Sequence, residues 1–156
     1  MRKYFAKQYL AAVFFCAIAL PGHAGQAEAQ AAYDAGNYSL AAREWRPLAE
    51  QGDAQAQYKM GWLYESGQGV PKDMAQAAAL YLQAAEQGLA LGQFALGAML
   101  ANGTGVARDD VQAFSWTRKA AEQGQVNAQS NLGIMYASGR GTPKDEKQSA
   151  VWYRKA

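Results

Sequence analysis

Cysteine and histidine are almost absent from this chain of 156 residues: Cys16 and His23 are the single examples of each, and both fall in the first 24 positions. From Gly25 onward there is no thiol and no imidazole. Metal sites built from Cys and His, disulfide frameworks, and nucleophilic centres of the Cys/His or Ser/His/Asp kind are therefore excluded from that part of the chain. A dominant charge sign is missing too. The 15 Lys and Arg face 13 Asp and Glu, and taking away Arg2, Lys3 and Lys7 leaves 12 against 13. A nearly neutral chain lacks the electrostatic footprint by which proteins hold nucleic acid or an anionic membrane surface.

The N-terminus carries a leader pattern. Arg2, Lys3 and Lys7 precede the apolar run Leu10 to Leu20, Pro21 and Gly22 break it, and Gly22-His23-Ala24 supplies small residues where a signal peptidase reads. Eleven apolar residues would form a helix of roughly 16 Å, about half of a bilayer's hydrocarbon thickness, so a stable membrane anchor is not expected once the leader is removed. Residues 1–24 are read as a signal peptide, with cleavage after Ala24 or, second, after Ala27. The product is then periplasmic or secreted.

Downstream, the sequence repeats itself every 36 residues. Met60-Gly61 falls on Leu96-Gly97 and Leu132-Gly133, and the loops SGQGVPKD (66–73), NGTGVARD (102–109) and SGRGTPKD (138–145) coincide. Gln76, Gln112 and Gln148 keep the same spacing. QAAEQG (83–88) falls on KAAEQG (119–124), and PLAEQG (47–52) precedes them. Alanine bias alone does not place glycine and aspartate in register, so the period marks stacked supersecondary units.

Each unit reads as two helices. Residues 54–65 put Ala56, Met60, Leu63 and Tyr64 on one stripe at helical spacing. Ser66-Gly67 then stops the helix with a left-handed residue, and Gly69 lets the chain reverse. Asp73, Asp109 and Asp145, each three residues before a Gln, are expected to cap a second helix in the manner of a capping box, and Gly52, Gly88 and Gly124 to end it. The mid-helix glycines Gly61, Gly97 and Gly133 cost about 1 kcal/mol each relative to alanine, which implies close approach of the partner helix. Trp116 and Trp152 are the expected rings there, with a thinner contact at Leu80 in the first unit. Before the repeats, Tyr33, Gly36, Tyr38 and Ala42 suggest a short hairpin, with Ser39 as a cap and Pro47 inside its second helix. The expected segments are 25–51 for this hairpin, then units at 52–87, 88–123 and 124–156, the last incomplete.

The run AQAQYKMGWLYESGQGVPKD followed by a helix ending AAEQG resembles the Sel1-like repeat, a relative of the tetratricopeptide repeat. The resemblance covers residues 52–156, and YDAGNYSLAAREWRPLAEQG resembles the hairpin that introduces such arrays. It implies an all-α, right-handed superhelical solenoid of antiparallel helix hairpins, whose first helices line a concave surface that binds other proteins. Thr142 for a loop valine, Ser130 for an aromatic and Leu80 for a tryptophan are the departures. Some secreted relatives are cysteine-rich and associated with penicillin binding or β-lactam hydrolysis, a subgroup this chain does not match.

Other chemistries are weaker. No Gly-Lys-Ser/Thr follows the Gly-x-Gly loops, and Asp73, Asp109 and Asp145 put negative charge where a phosphate would sit. Glu44, Glu50, Asp53 and Glu65 could be searched for a glycosidase-like carboxylate pair, but Glu86 and Glu122 recur with the fold and read as structural. Trp45, Trp116 and Trp152 occupy core-like positions on second helices. What does not recur is one face of the first helices, holding Gln55, Lys59 and Trp62, then Leu91, Ala95 and Ala98, then Asn127, Asn131 and Ile134. Such residues suit a binding surface with an exposed Trp62 as anchor. The reading is a non-enzymatic scaffold for a protein or peptide partner, with no metal or cofactor. A cell-envelope hydrolase or β-lactam-interacting protein, and a peptidoglycan or oligosaccharide binder using Trp62, stay open as alternatives.

Overall fold

The computed structural model describes residues 21–156, with side chains from Gly25 onward. Residues 1–20 of the expected leader, with Cys16, and the side chains of residues 21–24, His23 among them, lie outside the described residues; the backbone of 21–24 is helical. The described residues form eight helices in order: α1 (Pro21–Asp34), α2 (Tyr38–Glu50), α3 (Ala54–Ser66), α4 (Met74–Glu86), α5 (Ala90–Asn102), α6 (Asp110–Glu122), α7 (Val126–Ser138) and α8 (Glu146–Lys155). There is no strand among the described residues. The helices pack as consecutive antiparallel hairpins, an all-α solenoid.

The helix ends obey the local chemistry of the loops. Gly67, Gly103 and Gly139 adopt φ of 74°, 69° and 70° and donate their N–H groups to Leu63, Met99 and Met135, closing α3, α5 and α7. Asp73, Asp109 and Asp145 each accept from the backbone N–H three residues on at 2.9 Å. The expected capping box does not close, because the N–H groups of Asp73, Asp109 and Asp145 donate to the carbonyls of Tyr64, Leu100 and Tyr136 and not to a glutamine. Only the Gln112 amide reaches its aspartate, donating to Asp109 Oδ2 at 2.9 Å. The Gln112 backbone bond first, then this one, hold the Asp109 carboxyl below its usual range. In the leading hairpin the cap is Asn37, whose side chain accepts from Leu40 N–H, and not Ser39, which lies one turn-step inside α2. Asn37 wins because it immediately precedes the helix. Pro47 sits within α2 as expected.

The mid-helix glycines do receive the partner helix, but one residue further along than expected. A Cβ at Gly61 would lie 2.7 Å from the Tyr81 ring, at Gly97 2.7 Å from Thr117 Oγ1, and at Gly133 3.2 Å from the Tyr153 ring. Trp116 and Trp152 are therefore not the rings over these glycines. The first unit's contact is not the thinner one either, since Tyr81 there is fully buried and approaches its glycine as closely as Thr117 does in the second unit. A change of one position along a helix turns a side chain by about 100°, which carries the tryptophans to the next groove, against the preceding second helix.

Contacts between hairpins come from two recurring devices. The second glycine of each loop presses on the start of the preceding second helix: a Cβ at Gly69, Gly105 or Gly141 would overlap the backbone of Tyr38, Met74 or Asp110. Buried Gln57, Gln93 and Gln129 donate to the carbonyls of Ala49, Ala85 and Ala121 at 3.2, 3.3 and 3.2 Å. Those carbonyls belong to the last turns of α2, α4 and α6, where each also accepts from the N–H of the closing glycine, Gly52, Gly88 or Gly124, at 3.0 Å, so the glutamine fills a second acceptor position. Gln57 and Gln93 in turn accept from Gln87 at 2.7 Å and Gln123 at 2.8 Å, so each glutamine ties two second helices to one first helix. Three apolar clusters run along the stack; Tyr64 borders the first and second, and Phe114 the second and third.

Candidate functional site

The first helices α3, α5 and α7 present one continuous face with two neighbouring depressions. The first, of about 250 Å³, is lined by Tyr58, Trp62 and Glu65 of α3, Tyr81 of α4, Leu91, Phe94, Ala95, Ala98, Met99 and Asn102 of α5, and Thr104. The second, of about 240 Å³, lies between α5 and α7, where Ala98 and Asn102 form one wall and Asn131, Ile134 and Arg140 the other. Ala98 and Asn102 border both. Leu91 is 38% and Ile134 52% exposed, large apolar surface left open to solvent on this face.

Six of the residues expected on the binding face therefore come together: Trp62, Leu91 and Ala95 in the first depression, Asn131 and Ile134 in the second, and Ala98 in both. Gln55 and Asn127 are exposed on the same helices but line neither. Lys59 is drawn aside to the leading hairpin, its Nζ 5.0 Å from the Tyr33 ring centre and 5.7 Å from that of Trp45. Trp62 is half-buried and not exposed as expected, because Tyr33 meets it edge-on at 5.3 Å and Tyr38 lies tilted at 6.2 Å. It lines the depression as a member of that aromatic cluster and not as a free ring.

Aromatic and charged residues that the variable-face argument passed over complete the site. Tyr58 and Phe94 occupy equivalent positions in their units, where the third has Ser130. Their recurrence was visible in the sequence, but a recurring aromatic reads first as core. The Tyr81 hydroxyl donates to Glu65 Oε2 at 2.6 Å. Burial first, then this bond and the Glu65 charge, raise the Tyr81 phenol above its ordinary value. Burial and, next, Glu65 raise Tyr58 as well. Both phenols thus remain neutral hydrogen-bonding groups beside one carboxylate.

At the other end Arg140 closes the second depression. Its Nε lies 2.7 Å from Asp110 Oδ1, and its guanidinium also reaches the Ala101 carbonyl. Asp110 binds Arg108 on its other oxygen at 2.7 Å. The bonds from Arg108 and Arg140 hold its carboxyl down at about 2. One loop residue thereby fixes the third unit against the second while forming the wall of the groove.

The model of the Sel1 repeat family matches residues 54–89, 90–125 and 126–156. The chain belongs to the Sel1 repeat family. It is 39% identical to a Sel1 repeat protein from Oxalobacter formigenes of known crystal structure, with a TM-score of 0.78 over 82% of this chain and 53% of that one. A protective antigen of uropathogenic Escherichia coli strains with an SLR fold is 36% identical, with a TM-score of 0.75 over 85% of this chain and 31% of that one. The chain thus spans about half the length of the first and about a third of the second. No curated protein sequence matches it. Sel1 repeats form a non-catalytic solenoid typical of protein–protein interaction scaffolds. Among the described residues no group of three or more His, Cys, Asp or Glu is placed to hold a metal ion, and no helix is long and apolar enough to cross a membrane.

Proposed function

We propose that this Sel1 repeat chain is an exported scaffold that captures a polypeptide partner along its first helices. The observation that carries the reading is the pair of depressions meeting at Ala98 and Asn102, on a face whose residues vary while the core beneath them recurs. An extended or helical segment laid across α3, α5 and α7 would place one apolar side chain against Trp62, Tyr58 and Leu91 and a second against Ile134. Apolar anchors that exclude water supply most of the binding energy at such surfaces. Neutral phenols, Asn102 and Asn131 then offer hydrogen bonds that fix the register. The leader pattern of residues 1–24 supports action in the periplasm or outside the cell.

The test places a charge where the depressions meet. Ala98→Arg is expected to weaken capture of the partner at least tenfold, because it fills the shared wall and leaves a cation against apolar surface. Ala98 is half-buried, so the helix should persist and the circular dichroism spectrum should match that of the parent chain. Undiminished capture by a folded variant would place the interface elsewhere.

A further inference from the structure

A different face carries a second site. Between α2 and α4, over α3, lies a cleft of about 410 Å³. Its floor is Ala49, Met60, Tyr64 and Leu80, and its rim is Arg46, Glu50, Gln76 and Gln83. Shifting these positions by one period gives Ala85, Leu96, Leu100 and Trp116 for the floor, and by two periods Ala121, Leu132, Tyr136 and Trp152. The floor is thus the same in kind in all three units, save that the first has leucine where the others have tryptophan. In those units the indole itself occupies the space: Trp116 packs on the cluster containing Ala85, Leu96 and Leu100, and Trp152 on that containing Ala121 and Leu132. A lysine lies over each ring, Lys119 Nζ at 4.0 Å from Trp116 and Lys155 Nζ at 4.0 Å from Trp152. The first unit has Gln83 at the corresponding position, which leaves the cleft open on that side as well.

We infer that this cleft receives a tryptophan side chain from a partner polypeptide, which completes in trans the packing that the second and third units complete for themselves. The repeat supports the fit, since a chain-borne indole packs on the equivalent apolar cluster in each of the other two units. The rim suits the ring's polar edge. Among the described residues, the side chains of Arg46, Glu50, Gln76 and Gln83 make no hydrogen bond or ion pair with protein groups. Glu50 and the two amide oxygens can accept from an indole N–H, and Arg46 supplies the cation that Lys119 and Lys155 supply elsewhere. This site is independent of the first-helix face and stands or falls separately from it.

The experiment uses the full chain with methyl-labelled Met, Leu and Ala, titrated with N-acetyl-tryptophanamide and, as control, N-acetyl-leucinamide. Saturable shifts at Met60, Leu80 and Ala49 with a dissociation constant of about 1 mM are expected for the tryptophan probe alone. Leu80→Trp together with Gln83→Lys copies the second unit. That variant should melt no lower than the parent and lose at least tenfold in probe affinity at Met60. Should it fail to fold, Gln83→Trp at the exposed rim covers the cleft and serves the same arm. A peptide bearing one tryptophan should displace the probe, and its tryptophan-to-alanine version should not. Unmoved methyls in the parent chain, equal response to both probes, or unchanged affinity in a folded occluded variant would each overturn the proposal, whatever the first-helix face does.

Discussion

Gly105→Ala should destabilise the array by about 3 kcal/mol or more, whereas the same substitution at Gly88 should cost only about 1 to 2 kcal/mol. The two glycines share a left-handed backbone, with φ of 72° and 88°, so both lose the same local freedom on gaining a Cβ. They differ in surroundings. Nothing lies within 4 Å of a Cβ at Gly88, while at Gly105 the added carbon would overlap the Met74 carbonyl at the start of α4. Backbone cannot rotate aside as a side chain can, so the clash must be relieved by separating the second hairpin from the first. Urea denaturation of the two variants measures the difference directly. Equal midpoints would show that the loop glycine serves the turn alone and does not hold neighbouring hairpins together.

Gly97→Leu is expected to cost about 3 kcal/mol, even though leucine is the better helix former by close to 1 kcal/mol. A Cβ there would already stand 2.7 Å from Thr117 Oγ1 and 3.3 Å from the Ala113 carbonyl, and the rest of the leucine has only α6 to enter. The double-mutant cycle Gly97→Ala with Thr117→Ala separates the contributions. Removing Oγ1 should recover part of the loss, giving a coupling energy of about 0.5 kcal/mol or more between the positions. Additive effects, or a Gly97→Leu melting temperature equal to that of the parent chain, would refute the close helix approach.

The period, helix pairs and loops were legible in the sequence because they rest on residues with narrow conformational meaning. Gly67, Gly103 and Gly139 mark left-handed caps, and Asp73, Asp109 and Asp145 mark helix starts, whatever packs around them. Less legible was rotation about each helix axis. Gly61, Gly97 and Gly133 require a close neighbour, but whether that neighbour is Trp116 or Thr117 depends on how the loop sets one helix against the other. The same difficulty hid the glutamine ties, since a buried Gln57 looks in sequence like any polar residue of a helix. The candidate face was found because it breaks the repeat. Lys59 left it for reasons only three dimensions show: Tyr33 and Trp45, both on the leading hairpin, draw its ammonium toward their rings. The Leu80 departure was visible as a missing tryptophan, and only the stacked neighbours turn that absence into a cleft.

The central claim is that a polypeptide partner docks across the first helices of this Sel1 repeat array. Hydrogen exchange of the full chain, with and without partner captured from envelope extract, tests it most directly. Added protection should concentrate in α3, α5 and α7, around Trp62, Leu91, Ala98 and Ile134, and should vanish in a folded Ala98→Arg variant. Protection confined to α2, α4, α6 and α8, with α3, α5 and α7 unchanged, would contradict the account.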